Sequence, residues 1–504
     1  MATKATTSKV SSSPTRHVYD VIILGGQLGG AFAAALLAKR GYRVLLIEHD
    51  GLGEGYEHEG FLLPFAPFIS PPFKALGSVE EAFAELGLST AISRTLRPHV
   101  PELQLVLPDH RLDLSLTEES KRLGELTREY GPDAGTHHAA MGQLAAFHQP
   151  QDAFFKQPME LPADGFMETW GLKSLVRKAP QLATPLPALP EDGPSQALLD
   201  LIPFLTYLDS PEQPLAVARA LSQALSQPSR FPNGREGFRE LLTRKLQDLG
   251  GDLLTQENSR HFIAEELVLE GDRVVGIKLV QSETVYRAAA FIGATDAGAL
   301  RRLVPDKKKH RKLTDLLDLS TTRKFLFTLN WVVPSEMLPR GMGELLLQHN
   351  DDEDLGPVLI QVLSARRVGK PEDESLRVVC AGAFVPASTR ELGESHLRGL
   401  SDRLGAQLEA LMPFTRQHVK VVSAPYLDAS SMRGSRLLPH PLFAFESAER
   451  VLGVEGLSQR TGTKNMFLAS REVLPGLGLE GELLSAVRAA RLVQESAKKL
   501  DPLK

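Results

Sequence analysis

At 504 residues the chain is too long for a single core, since domains usually run about 100–200 residues, and two or three co-folded units are expected. With 42% hydrophobic and 24% charged residues it has an ordinary globular composition, which excludes disordered, collagenous and multi-span membrane classes. Fifty-seven Lys and Arg against 62 Asp and Glu leave a net charge of −5, which offers nucleic acid no global field.

Residues Met1–Pro14 are rich in Ser and Thr, carry Lys4 and Lys9, and contain no acid. With the uncharged run Val21–Ala38 they imitate a signal peptide or a lone membrane helix. The imitation fails at Gly25-Gly26 and Gly29-Gly30, where β-branched Val21, Ile22 and Ile23 give way to the helix formers Ala33–Leu37. A strand, a glycine turn and a helix account for the run, and the tail before it reads as disordered. A strand over Tyr42–Ile47 completes one βαβ unit from Asp20 to Glu48.

His49–Pro72 is a Gly-, Pro- and Phe-rich loop without period. Within it, the apolar stretch Phe61–Phe68 suits either the lining of a hydrophobic tunnel or plain burial. From Ser78 to Leu225 helical patterns alternate with Pro-rich connectors such as Ala183–Pro194. A turn at Phe231 opens a helix with Phe238, Leu241, Leu242, Leu246 and Leu249 on one face, capped by Gly250-Gly251. Short β-type runs follow at Asp252–Thr255, Glu265–Leu269, Val274–Val280 and Thr284–Tyr286, the last three as an antiparallel meander, and Phe291–Ala294 is a separate buried strand. A second strand-rich region contains Lys324–Val333, Val358–Leu363 and Leu376–Val385, with a helix from Ser395 to Leu411. The chain closes with a strand (Asn465–Ala469), a loop (Ser470–Gly478) and a helix from Leu479 towards Leu500.

The single cysteine, Cys380, leaves no disulfide framework or Cys-rich zinc site and points to a reducing, cytoplasmic compartment. His137-His138 and His148 lack metal-ligand spacing and read as surface or loop histidines; no metal site is expected. Asp306–Lys312 is the strongest charge run. It reads first as a solvated loop and second as a peripheral docking patch for an anionic membrane surface.

Chemistry concentrates at Gly25-Gly26-Gln27-Leu28-Gly29-Gly30, which follows a strand and opens a helix. Gly25 permits the tight turn, Gly30 lets helix and strand pack closely, and the helix start offers backbone N–H groups to a pyrophosphate. Glu48, at the end of the second strand, suits ribose hydroxyls and repels a 2′-phosphate, which favours FAD or NAD over NADP. Gln27 stands where the pattern has its middle glycine and a side chain obstructs backbone approach to the phosphates, so either its amide turns aside and donates a hydrogen bond or the pocket is partly closed.

Four stretches together resemble the flavin-dependent phytoene desaturase and carotenoid isomerase family, a branch of the flavoprotein superfamily that includes amine oxidases. They are Asp20–Glu48; Phe231-Pro232-Asn233-Gly234-Arg235-Glu236-Gly237-Phe238 with its helix; Gly271–Gly276 leading to Phe291–Asp296; and Asn465–Ser470 followed by Pro475–Gly481. The resemblance implies an α/β, two-domain flavoprotein. Its Rossmann-like FAD-binding part would be assembled from 18–75, 226–305 and 456–504, after a tail of 1–17. The helical region 76–225 and the mixed-sheet region 306–455 would bind substrate. It further implies FAD as cofactor, hydride transfer at flavin N5, and a hydrophobic, carotenoid- or isoprenoid-like substrate. The family's adenine-contacting position falls on Ser259. Gly476, Gly478 and the start of the Leu479 helix would face the flavin's pyrimidine edge, with free backbone donors. Arg471 stands where the family has Asp, and a guanidinium there suits a phosphate oxygen. The same superfamily fold includes proteins like the Rab GDP-dissociation inhibitors, so the alternative is a non-catalytic binding protein. A chain poor in Tyr and Trp does not advertise the aromatic pair of an amine oxidase.

Overall fold

A computed structural model describes residues 18–49, 54–70, 78–155, 159–190, 193–210, 214–226, 228–255, 263–280, 284–349, 355–428, 438–446 and 451–498. The N-terminal tail, Gly51–Gly53 and Ser259 lie outside them, so expectations for these residues are not addressed by the structure.

The strand Val18–Leu24 sits at the centre of a seven-stranded sheet, parallel to Val44–Ile47 on one side and to Val285–Gly293 on the other. Its alternate residues enter two different cores. Val21 and Ile23 pack with Phe32, Phe238 and Leu483, while Ile22 and Leu24 pack with Phe291, Leu300 and Leu474. Burial on both faces is why this segment is uniformly apolar rather than alternating. Asp252–Leu254 extends the parallel set, Met466–Leu468 pairs with the end of Val285–Gly293, and Ala264–Glu270 with Arg273–Leu279 adds an antiparallel edge. Three stretches far apart in sequence thus share one sheet.

Three helices cover one face: Leu28–Lys39, Gly234–Asp248 and Gly478–Lys498. The first is buried on every side from Leu28 to Ala38, and its alanines let the neighbouring helices approach closely. A second, eight-stranded mixed sheet is built on the long antiparallel pair Ser320–Pro334 and Glu372–Pro386. The helix Gly393–Leu411 lays Leu397, Leu400, Leu404 and Leu408 on one of its faces. Among the described residues no helix is long and apolar enough to cross a membrane.

Three expectations need correction. The runs at 284–286 and 291–294 are one continuous strand, because Arg287 to Gly293 pairs in parallel with Val18 to Leu24. Part of the stretch read as loop is a hairpin, Gly55–His58 with Phe61–Pro64. The region read as helical from 78 to 225 contains the hairpin Leu103–Val106 and Arg111–Leu114, which adds two strands to the edge of the second sheet. Its alternating Leu103, Leu105, Leu112 and Leu114 all enter the core beneath.

Candidate functional site

The glycine turn is shaped as its residue types require. Gly25 has φ +110°, and a side chain there would run into the Ala294 carbonyl. At Gly30 a methyl group would overlap the Gly25 carbonyl, so only glycine lets the first helix leave the strand at this angle. The last helix starts directly opposite. The Gly29 N–H, in the first turn of one helix, donates at 3.0 Å to Oε1 of Glu482, just past the first turn of the other. Two helix starts therefore converge on one cleft.

That cleft holds a buried network of charged side chains. Glu482, 1% exposed, also faces Arg235 (2.5 Å), Arg471 (3.7 Å) and the Tyr207 hydroxyl, which donates at 3.4 Å. Arg235 Nε lies 2.8 Å from Glu54, and Arg471 donates to both Glu54 oxygens at 3.0 and 3.1 Å. Glu236 accepts from the Glu54 backbone N–H and pairs with Arg239, which also binds Glu48. One turn of sequence, Arg235-Glu236 with Arg239, thus places three charges on the cleft side of its helix. The Arg471 and Arg235 planes lie over the rings of Tyr207 (5.4 Å) and Phe68 (5.7 Å). Beside the network, Glu480 is bound by Arg219 and Gln223.

Burial would push the Glu54 pKa up, but Arg235 and Arg471 outweigh it, and the pKa falls to about 2. Burial works against the Arg235 charge, and Glu482 and Glu54 more than restore it, so its pKa is raised. Glu472, buried beside Asp296, behaves oppositely: burial and the neighbouring Asp296 charge push it up to about 8. It accepts from the Ala297 N–H and the Ser320 hydroxyl. His440 is driven down to about 4 by burial, and its Nε2–H faces the Pro203 and Thr206 carbonyls at 3.0 and 2.9 Å.

The expected site residues are brought together, but several have other partners. Arg471 pairs with Glu54 rather than standing free for a phosphate. Glu48 is bound by Arg239, and its Cγ packs against Gly26. The Gly476 N–H is not free but donates to the Val454 carbonyl at 3.0 Å, while Gly478 (φ +54°) packs on the Leu205 carbonyl. Leu28 points into the core, whereas Leu479 and Gln27 line the cleft. Gln27 is 5% exposed, and its side-chain oxygen has no hydrogen-bond partner. Glu54, Arg235, Glu236, Arg239 and Glu482 were not expected as site residues. The available signal was the appearance of charges beside Phe238, Leu242, Leu479 and Leu483, on helix faces that otherwise enter the core. Of the histidines expected at the surface or in loops, His137 is buried and its ring lies tilted against Tyr130, 4.0 Å between centroids. Lys307–Lys309 form an exposed turn around the Asp306 carboxylate.

FAD does not fit the cleft as these side chains stand. The Gly29 donor is taken by a carboxylate and the Glu48 acceptor by a guanidinium. The remaining cavity, lined by Phe65, Phe68, Phe204, Leu205, His440 and Leu479 among others, is about 60 Å³. At about 10–15 Å³ per water it holds a few waters, not a dinucleotide.

Comparison with known proteins gives the fold. Residues 23–86 match the family described as NAD(P)-binding Rossmann-like domain. Over 95–96% of its length the chain superposes on a putrescine oxidase bound to putrescine (TM-score 0.57, 15% identity, 99% of that chain) and on cyclohexylamine oxidase from Brevibacterium oxydans (0.55, 14%, 99%). These likenesses show a shared overall fold. An oxidoreductase from Methanosarcina mazei is equally similar in fold (TM-score 0.57, 13% identity), covering 94% of this chain and 100% of that one. Among curated proteins, the chain is 20% identical over 351 residues to a chloroplastic prolycopene isomerase of Daucus carota, 64% of this chain. The match spans about half, 53%, of that relative.

Proposed function

We propose that the chain is an FAD-dependent oxidoreductase for a hydrophobic, carotenoid- or isoprenoid-like small molecule, of the phytoene desaturase type, with a dinucleotide cleft that rests closed by its own ion pairs. The observation that carries this reading is the convergence of the glycine turn, Glu48 and two helix starts on one cleft. The apolar Phe65, Phe68, Phe204 and Leu205 beside it support a hydrophobic substrate. The names of the relatives support redox chemistry and, through the carrot isomerase, a polyene class of substrate. A second reading, a flavin-free binding protein for a hydrophobic ligand, is favoured by the charge network lying where a cofactor would. Titrating the purified protein with FAD and recording its visible spectrum separates them. Bound, spectrally shifted flavin supports the enzyme; a colourless protein at saturating FAD overturns it in favour of the second reading.

A further inference from the structure

We infer that Glu482 is an internal anion occupying the diphosphate position of the cleft, so that a dinucleotide binds only in competition with this carboxylate. The inference rests on the dinucleotide reading above and adds how access to that site is controlled.

Glu482 takes up the donors an anionic ligand would use. It accepts the Gly29 N–H at the start of the first helix, and it faces Arg235, Arg471 and the Tyr207 hydroxyl at the start of its own. The last helix thus supplies the anion from a residue just past its first turn. Beside this point the Gln27 side-chain oxygen, buried and without a partner, lines the small remaining cavity. Charge balance sharpens the argument. Glu48, Glu54, Glu236 and Glu482 stand against Arg235, Arg239 and Arg471 within the network, four negative charges against three positive. A diphosphate would add two more negative charges to a buried cluster already in excess by one. Unless a carboxylate leaves, that insertion is opposed at close range and without solvent screening. Removing the Glu482 charge brings the seven-residue sum to zero and leaves Arg235 and Arg471 short of a partner.

The test is FAD affinity, read by flavin fluorescence quenching, for wild type, Glu482→Gln and Glu482→Asp, each shown to be folded by near-UV circular dichroism. The aspartate keeps the charge but is one methylene too short to reach the Gly29 N–H. Glu482→Gln should bind FAD about ten- to a hundredfold more tightly than wild type, the range set by a hydrogen bond to a charged group. Glu482→Asp should gain less. Inorganic pyrophosphate should raise the melting temperature of Glu482→Gln and leave that of wild type unmoved. Equal FAD affinities in wild type and Glu482→Gln overturn the inference. If both bind tightly, the flavoprotein reading survives without the competing carboxylate; if neither binds, that reading falls as well. Equal stabilisation of both proteins by pyrophosphate is likewise fatal to the idea.

Discussion

Glu54 sits between Arg235 and Arg471 with almost no access to water, and the two guanidinium groups hold its carboxyl at about 2 against an ordinary 4.5. As pH falls below 4.5 an unfolded chain takes up a proton that the folded one refuses. The stability contributed by Glu54 is therefore complete above pH 4.5 and lost on the way to 2, on the order of 3 kcal/mol. His440 adds to acid sensitivity in a higher window. Its folded pKa of about 4 lies below the ordinary 6.5, so the unfolded form gains protons first between those values. Glu472 acts in the other direction: held at about 8, it keeps a proton that the unfolded chain releases, and its contribution declines as pH rises from 4.5 to 8. Urea unfolding followed from pH 7 to 3 should show midpoints changing little down to pH 4.5, where Glu472 and His440 act in opposite directions, and falling below it as Glu54 and the last of His440 take up protons. In Glu54→Gln the part of that fall below pH 4.5 should flatten; an unchanged slope would mean that Glu54 is not held ionised.

The helices Gly234–Asp248 and Gly478–Lys498 are joined across the cleft by Arg235, which binds Glu54 and Glu482 together. Removing one member of a buried ion network leaves uncompensated charge, which typically costs about 3–5 kcal/mol. Arg235→Met should lower stability by about that amount in equilibrium denaturation, whereas an effect below about 1 kcal/mol would mark the network as solvated in solution. Packing of the first helix sets a separate limit. Gly30→Ala forces a methyl group onto the Gly25 carbonyl and should cost about 1–3 kcal/mol in the same experiment, with no change in acid sensitivity. The helix Gly234–Asp248 was legible from its apolar face, and the central strand and first helix from the switch of β-branched residues to helix formers at the glycine turn. The hairpin at 103–114 was not, because two four-residue strands carry too little pattern to compete with the helical stretches around them. The charge network was legible only as residue types. Arg235 and Glu482 are 247 positions apart, and nothing local to either announces the other.

Across the whole molecule, the strand–turn–helix start and the apolar loop Phe61–Phe68 meet at the boundary between the two sheets. Phe61 and Leu63 are buried against Leu363 and Val378 of the second sheet, while Phe65 and Phe68 line the cleft. By itself the sequence determined the class of the fold, the glycine turn and the acid at the end of the second strand. Each is fixed by local sterics or by a repeating pattern within a few residues. Only tertiary structure decided what fills the cleft. Opposite charges brought together in a water-poor interior must pair with whatever lies within a few ångströms, and which residues those are depends on how three distant stretches of chain are folded onto one sheet.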